Sequence, residues 1–170
     1  MSARFAEGDL AAFEEIFRQY QGEVYRWIIR IVRDRSAAED LTIETFWRIW
    51  KARARFDPQR SFPAWARRIA SNAAVDSLKR NGRISALSAE PQVLLPTDPA
   101  ISSEIRDKIQ RAFRELPAKL QVVAILALVE EQPYDEIAAD LGISVNGVKS
   151  RVFRAVRILR KKLKKMGIEP

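Results

Sequence analysis

The side chains with the clearest chemical potential are the bases near the carboxyl end of the chain. From residue 144 to residue 166 there are nine Lys and Arg and no Asp or Glu, whereas residues 117–143 carry one base and five acids. This separation is too lopsided for ordinary surface salt-bridge patterning. Apolar residues recur at helical spacing through the basic segment, so the bases project from the opposite face. These apolar residues are Val148, Val152, Val156, Leu159 and Leu163.

The residues just before this segment predict a helix-turn-helix. A short helix over 133–141 ends at Gly142, which accepts the left-handed conformation that follows many helices. Ser144 is a residue type that caps the next helix. Ala138 is small enough for two helices to cross closely, and the apolar side chain of Val148 is expected to pack towards the interior of the motif. In such a motif the second helix enters the DNA major groove; a plain helical hairpin with a solvated basic face is the alternative.

The first half of the chain combines aromatic and basic residues. It holds twelve of the fifteen aromatic residues, with Arg and Lys between them. Rings beside cations suit single-stranded nucleic acid, because bases stack on rings while phosphates pair with cations. Core packing is the ordinary alternative for any one ring. Phe62 and Trp65, at the start of a polar and basic helix, are predicted to be the exceptions.

Helical periodicity covers almost the whole sequence and predicts an all-α fold. In the first half, one helix follows Asp9 as its cap. A second opens at a capping box, Ser36-Ala37-Ala38-Glu39, and a third begins at Ser61-Phe62-Pro63 and ends near Asn81-Gly82. Four more helices are predicted over 101–115, 118–130, 133–141 and 144–166.

Residues 82–101 have the composition of a linker, with three prolines between 91 and 99 among Ser and Thr. An ordered surface loop is the alternative. The predicted architecture is therefore two small helical domains, 1–81 and 102–170, joined by a flexible linker, with the helix-turn-helix in the second domain.

Composition excludes most catalytic and metal chemistry. The chain has 170 residues, a net charge of +8, and neither Cys nor His, so zinc sites, disulfides and nucleophiles activated by His lack their atoms. We expect no catalytic residue, metal or cofactor. The longest apolar run, Val122–Val129, is far shorter than the roughly 20 residues that span a bilayer, and acids near the start argue against a secretory signal. A cytoplasmic protein without membrane insertion is expected.

Motifs in both halves, in this order and spacing, resemble the extracytoplasmic-function (ECF) group of bacterial RNA polymerase sigma factors. In the first half the resemblance is carried by Asp40-Leu41-Thr42-Ile43-Glu44-Thr45-Phe46, then by Phe62, Trp65 and Arg68-Ile69-Ala70-Ser71-Asn72. In the second half it is carried by Leu116-Pro117, Tyr134-Asp135-Glu136-Ile137-Ala138 and Val148-Lys149-Ser150-Arg151-Val152-Phe153-Arg154-Ala155. The resemblance implies a protein that is not an enzyme and that directs core RNA polymerase to a promoter class and assists promoter opening.

The resemblance also implies roles for individual residues. Core polymerase binding, through the clamp helices, falls on Asp40, Leu41, Glu44, Phe46 and Arg48. Contact with the minus-ten promoter element falls on Phe62, Trp65, Arg68, Asn72 and Lys79. Contact with the minus-thirty-five element falls on Ser144, Asn146, Lys149, Ser150, Arg151, Phe153 and Arg154. The implied partners are core polymerase (clamp helices and flap region), promoter DNA and an anti-sigma factor.

The sequence departs from the family pattern at four places. Ile43 stands where the family usually has Gln, Gln121 replaces a usual Arg, and Asn146-Gly147 replaces a usual Gly-Thr. The chain also begins close to Gly8, where the family has most of another helix first, so either the start codon is misassigned or that helix is absent.

Three other functions compete with the sigma-factor interpretation. A stand-alone helix-turn-helix regulator accounts for the second half but leaves the Asp40–Phe46 helix unexplained. A carboxylate-metal enzyme could use Asp40 and Glu44, which are spaced four apart on one helix, but lacks the usual His partners. A membrane-surface helix at the carboxyl end is disfavoured because that segment has only Phe153 as an aromatic residue.

Overall fold

All regular structure in the described part of the chain is helical. The structure is a computed structural model, and it describes residues 1–84 and 102–168. The first half contains α1 (Ser2–Ala6), α2 (Leu10–Val32), α3 (Arg35–Ala52) and α4 (Phe62–Ile84). The second contains α5 (Ser103–Arg114), α6 (Ala118–Ala124), α7 (Tyr134–Leu141) and α8 (Val145–Lys165). Short 3₁₀ and π-helical turns cover Arg53–Arg55 and Ile125–Val129. The all-α prediction is confirmed.

These residues divide into two compact units. The first comprises Met1–Ala74 with Asp140–Gly142, and the second takes the described residues from Val75 to Ala139 and from Ile143 onwards. Helix α4 runs through the predicted stop at Asn81-Gly82 and ends at Ile84. One glycine inside a helix costs only about 1 kcal/mol, which is too little to end it alone. The rest of the predicted linker, 85–101, lies outside the described residues.

Aspartate caps begin α2 and α3. The Asp9 carboxylate accepts from the amides of Ala11 and Ala12 at 2.8 and 3.2 Å, as predicted for this cap. At α3, however, the cap is Asp34, whose carboxylate accepts from the Ala37 amide at 2.7 Å. The predicted capping box at Ser36 is therefore wrong. Arg33 ends α2 in the left-handed region, and this places Asp34 at the start of the next helix.

A cluster of aromatic rings centred on Phe5 lies in the core of the first unit. The Phe5 ring is fully buried, and its centroid lies 5.9 to 6.4 Å from those of five other rings. These rings, Phe13, Trp50, Phe56, Phe62 and Trp65, come from α2, α3, α4 and the loop before α4. The residues before Gly8 therefore do form a helix, α1, and that helix supplies the central ring of the cluster.

An ion pair ties α1 to the start of α2. The Arg4 Nε donates to the Asp9 carboxylate at 2.7 Å. This hydrogen bond, together with the backbone amide of Ala12, lowers the pKa of Asp9 below its ordinary value. Because both side chains are exposed to solvent, the pair mainly fixes the direction of α1, and Phe5 supplies the apolar burial.

The second unit packs α5, α6 and α8 around an apolar core. Phe113, Leu116, Ile125 and Leu159 lie in this core together with three buried alanines. The prediction of one helix over 118–130 is correct in extent, but its last turn is π-helical, and the Glu130 amide donates to the Ile125 carbonyl at 3.0 Å. The apolar stripe of α8 provides the other side of the core, as the sequence pattern indicated.

We predict that Phe5→Ala destabilises the first unit by about 3–5 kcal/mol, the range for truncating a buried Phe. Leu10→Ala is the matched control, because Leu10 is 64% exposed next to the same helix junction, and its effect is expected within about 0.5 kcal/mol. Denaturant unfolding followed by Trp fluorescence measures both. Equal effects of the two substitutions would show that α1 does not anchor the cluster.

Candidate nucleic-acid interface

Helix α8 begins with the local geometry that a recognition helix needs. Gly142 adopts φ +65° at the end of α7, and the Ile143 amide donates back to the Ala138 carbonyl at 3.0 Å. The Ser144 hydroxyl then accepts from the Gly147 amide at 3.0 Å and caps α8. Ala138 and Val148 are buried. The predicted helix-turn-helix is confirmed, with its turn between Leu141 and Val145.

The exposed face of α8 carries cations from Lys149 to Lys165. Its buried positions are Val148, Val152, Ala155 and Leu159, which lie on one side of the helix. The helix has no acidic residue of its own, although Lys162 bonds to the Glu115 carboxylate of α5. A line of cations with little internal compensation attracts a polyanion such as DNA.

The predicted minus-thirty-five residues lie near the start of α8, and most of them are exposed. Ser144, Asn146, Lys149, Ser150, Phe153 and Arg154 are exposed, and Arg151 is half-buried. The Arg154 guanidinium folds back over the preceding turn: Nε donates to the Ser150 carbonyl and a terminal nitrogen to the Ser150 hydroxyl, both at 3.3 Å. Both bonds hold the guanidinium against the turn of α8 that contains Ser150.

Helix α4 carries a second polar and basic face. Trp65, Arg68 and Asn72 are spaced by three and four residues and share one side of the helix. Arg68 and Asn72 are exposed and Trp65 is half-buried. Lys79 is exposed two turns further along, with Asp76 at 4.0 Å on the same helix. The start of α4 is fixed by Ser61, whose hydroxyl accepts from the Ala64 amide at 3.4 Å.

Helix α3 exposes apolar side chains. Ile43 is 67% exposed and Trp47 is 56% exposed, and their four-residue spacing places them side by side. The Lys51 ammonium lies 4.8 Å from the centre of the Trp47 ring. Glu44 and Arg48, one step around the helix, bond to each other at 2.5 Å. An exposed apolar pair of this kind is a feature of protein-binding surfaces.

Both halves of the chain match known protein families. Residues 16–84 match the sigma-70 region 2 family, and residues 106–159 match sigma-70 region 4. The chain is 33% identical to the ECF RNA polymerase sigma factor SigE of Mycolicibacterium smegmatis, over 96% of this chain and 67% of that protein. It is 31% identical to the ECF sigma factor SigW of Bacillus subtilis, over 93% and 92%.

The chain belongs to the ECF sigma factors. Its function is to direct core RNA polymerase to a promoter class at transcription initiation. A solved structure of the sigma factor RpoE of Bartonella quintana, in complex with the anti-sigma factor NepR, has the same fold: TM-score 0.55 and 22% identity, over 90% of this chain and 97% of that one. These matches favour the sigma-factor interpretation over the stand-alone helix-turn-helix regulator.

Three of the predicted site residues are buried in the structure. Phe62, predicted as an exception to core packing, is buried in the aromatic cluster with Phe5 and Tyr20. Leu41 and Phe46, predicted in the polymerase-binding set, are also buried, and Phe46 packs on Phe17 at 4.8 Å. All three side chains pack inside the first unit and hold the helices whose other faces are exposed.

Of the predicted polymerase-binding residues, Asp40 is exposed, while Glu44 and Arg48 neutralise each other. The exposed apolar pair Ile43–Trp47 lies on the same helix, and the sequence analysis did not single it out as a pair. Ile43 was visible only as a departure from the family pattern. Its spacing to Trp47, on the side opposite Leu41 and Thr45, was the signal that could have identified both.

Within 1–84 and 102–168, no group of three or more acidic side chains is placed to hold a metal ion. In the same part of the chain, no helix is long and apolar enough to cross a bilayer.

We predict that Ser144→Ala lowers the stability of the second unit by about 1 kcal/mol, the usual effect of removing a helix cap. Ser144→Asn is the matched control, since Asn caps as well as Ser, and it is expected to retain stability. Thermal unfolding followed by circular dichroism measures both. If the Ala and Asn variants unfold together, the Ser144–Gly147 bond is not what fixes the start of α8.

Proposed function

We propose that three exposed helix faces of this sigma factor each bind a different part of the transcription initiation complex. The face of α3 binds the clamp helices of core polymerase, the face of α4 holds the opened minus-ten strand, and the face of α8 reads the minus-thirty-five element. The observation that carries this proposal is the exposed pair Ile43–Trp47. A regulator that binds DNA alone has no use for an apolar patch in its first unit, whereas a subunit of a larger enzyme does.

Charge then supports the apolar contact at α3. Asp40 lies one turn before Ile43 and Lys51 one turn after Trp47, so the patch has an acidic end and a basic end. Such ends orient a docking partner and speed its approach more than they strengthen binding. Because Glu44 already bonds Arg48, its charge contributes less to a partner than its position in the sequence indicates.

At α4, the half-buried Trp65 and the exposed Arg68 and Asn72 form the contact with the minus-ten strand, and Lys79 binds a phosphate. A base stacked on an aromatic ring contributes about 1–3 kcal/mol. Phe62 acts indirectly: its ring meets that of Trp65 at 5.9 Å and fixes the direction in which Trp65 points.

At α8, residues near the helix start reach base edges and later residues contact phosphates. Lys149, Ser150, Phe153 and Arg154 belong to the first group, with Ser144, Asn146 and Arg151 beside them. The bases from Arg160 onwards belong to the second group.

The proposal also covers the domain bounds, the protein partners and the cellular location. The two domains of the proposal are those predicted from the sequence, 1–81 and 102–170. The polymerase flap region binds the second domain, and an anti-sigma factor binds the free protein, as in the complex of RpoE with NepR. The protein acts in the cytoplasm, where polymerase is, and it catalyses no reaction of its own.

We predict that replacing both Ile43 and Trp47 by Lys weakens binding to core polymerase at least tenfold without changing helicity. Burying one such side chain contributes about 1.5–3 kcal/mol, and 1.4 kcal/mol is a factor of ten. Leu10→Lys is the matched control, because Leu10 is equally exposed in the same unit but lies on α2. Titration of labelled sigma factor with core polymerase measures all three proteins.

Undiminished binding by the double variant would remove the α3 face from the interface. Equal losses with Leu10→Lys would point to a general effect of added charge.

We also predict that Arg154→Ala and Lys164→Ala act differently on promoters. Arg154→Ala should cost about 1–3 kcal/mol at the preferred minus-thirty-five sequence and relax specificity there. Lys164→Ala should weaken binding on all sequences alike and lower the salt slope by about one unit or less. The measurement is promoter selection by the holoenzyme from a randomised upstream element at two salt concentrations. The proposed orientation of α8 is wrong if Lys164→Ala shifts the sequence preference and Arg154→Ala does not.

A further inference from the structure

Two residues of α4 outside the proposed DNA contact connect this helix to α2. The indole Nε1 of Trp27 donates to the Ser71 hydroxyl at 3.0 Å, and the Arg67 guanidinium donates to the Glu23 carboxylate at 2.8 Å. The same guanidinium lies 5.7 Å from the centre of the Trp27 ring. On each helix the two residues are four apart, so the four side chains form one continuous row of polar contacts. We call this row the α2–α4 seam.

The rest of the buried side of α4 around the seam consists of small apolar residues. Between residues 66 and 74, the buried positions other than Ser71 are Ala66, Ala70, Ala73 and Ala74. Burial of their methyl groups is favourable but not directional, and such small side chains form only shallow ridges and grooves on the helix surface. A hydrogen bond, in contrast, has a defined length and angle. The seam is therefore the feature of this stretch that fixes the rotation of α4 about its own axis.

The rotation of α4 decides where the exposed side chains of its polar face point. Arg68 and Asn72 directly follow Arg67 and Ser71 in the sequence, so they lie one step around the helix from the seam. A side-chain atom about 6 Å from the helix axis moves about 2 Å when the helix turns by about 20°. That displacement exceeds the roughly 0.5 Å within which a binding group must be held to its productive position.

We infer that Trp27 and Ser71 are positioning residues for the minus-ten contact: their hydrogen bond sets the rotation at which the polar face of α4 meets the opened strand. The inference rests on the proposed function of α4 and adds two residues that act on its base preference without touching DNA. Both side chains are buried, so water cannot replace a partner that is removed. Arg67 and Glu23 support the same rotation from the more exposed end of the seam.

The test compares the base preferences of the holoenzyme at its two promoter elements. Wild-type and variant holoenzymes select from one duplex library that is randomised at both the minus-ten and the minus-thirty-five positions, and sequencing measures the enrichment. In Ser71→Ala and in Trp27→Phe we expect the minus-ten preference to fall about fivefold, which corresponds to about 1 kcal/mol or one net hydrogen bond. The minus-thirty-five preference should not change, because α8 belongs to the other unit.

The two substitutions together assign the effect to one hydrogen bond. Ser71→Ala also removes a 3.5 Å bond from the Ser71 hydroxyl to the Asp140 carbonyl within the same unit, whereas Trp27→Phe leaves that hydroxyl in place. Since both variants remove the bond between Trp27 and Ser71, the double variant should lower the minus-ten preference no further than either single variant.

Thr42→Val is the matched control for a loss of stability. Thr42 is also a buried hydroxyl residue of the first unit, and it donates to the Ala38 carbonyl at 2.7 Å within α3 itself. The variant loses a hydrogen bond without loosening α4, so both base preferences should stay at their wild-type values. Circular dichroism checks the helicity of every variant.

The possible failures are distinguishable. A wild-type holoenzyme that selects no minus-ten sequence contradicts the proposed function of α4. If the wild type selects a sequence and both single variants retain its preference, the inference about Trp27 and Ser71 alone is wrong. The inference is also wrong if Thr42→Val lowers the minus-ten preference as much, if both elements lose preference equally, or if the losses of the two single variants add in the double variant.

Discussion

Like charges at three- and four-residue spacing destabilise an isolated helix, and α8 carries nine bases with no acid. Such a helix forms only where burial of its other face outweighs the repulsion. The stripe from Val148 to Leu159 supplies that burial against α5 and α6. The charge that suits α8 to DNA is therefore possible only because the second unit has a core of its own. The same rule applies to α3, whose exposed Ile43 and Trp47 are held in place by Leu41, Phe46 and Ile49 on its buried side.

Local signals made much of the second unit predictable. Gly142 and Ser144 mark the turn of the helix-turn-helix because each satisfies a backbone requirement within a few residues. The start of α3 shows the limit of such signals. Asp34 and Ser36 are both good caps, and the choice between them depends on where the chain turns after Arg33, which no local pattern specifies.

Long-range contacts explain the rest of the difference between sequence and structure. The importance of Phe5 depends on rings up to 60 residues away in the sequence, and helical periodicity does not reveal such contacts. Phe62 looked exposed because its sequence neighbours are polar and basic, yet its partners come from α1, α2 and the loop before α4. At α3, apolar residues occur on both sides of the helix, so only the packing of neighbouring helices decides which pair is left outside.

In the free protein, the Arg154 guanidinium already donates hydrogen bonds to Ser150, and these bonds compete with any hydrogen bonds that it would form with DNA. In the proposed orientation of α8, a base contact made by the same two guanidinium nitrogens replaces their hydrogen bonds to Ser150. A guanine offers two acceptors in return, whereas most wrong bases offer fewer. Breaking the two hydrogen bonds to Ser150 costs the same free energy at every promoter sequence. The exchange therefore lowers the affinity wherever Arg154 engages a base and does not increase the difference in affinity between sequences.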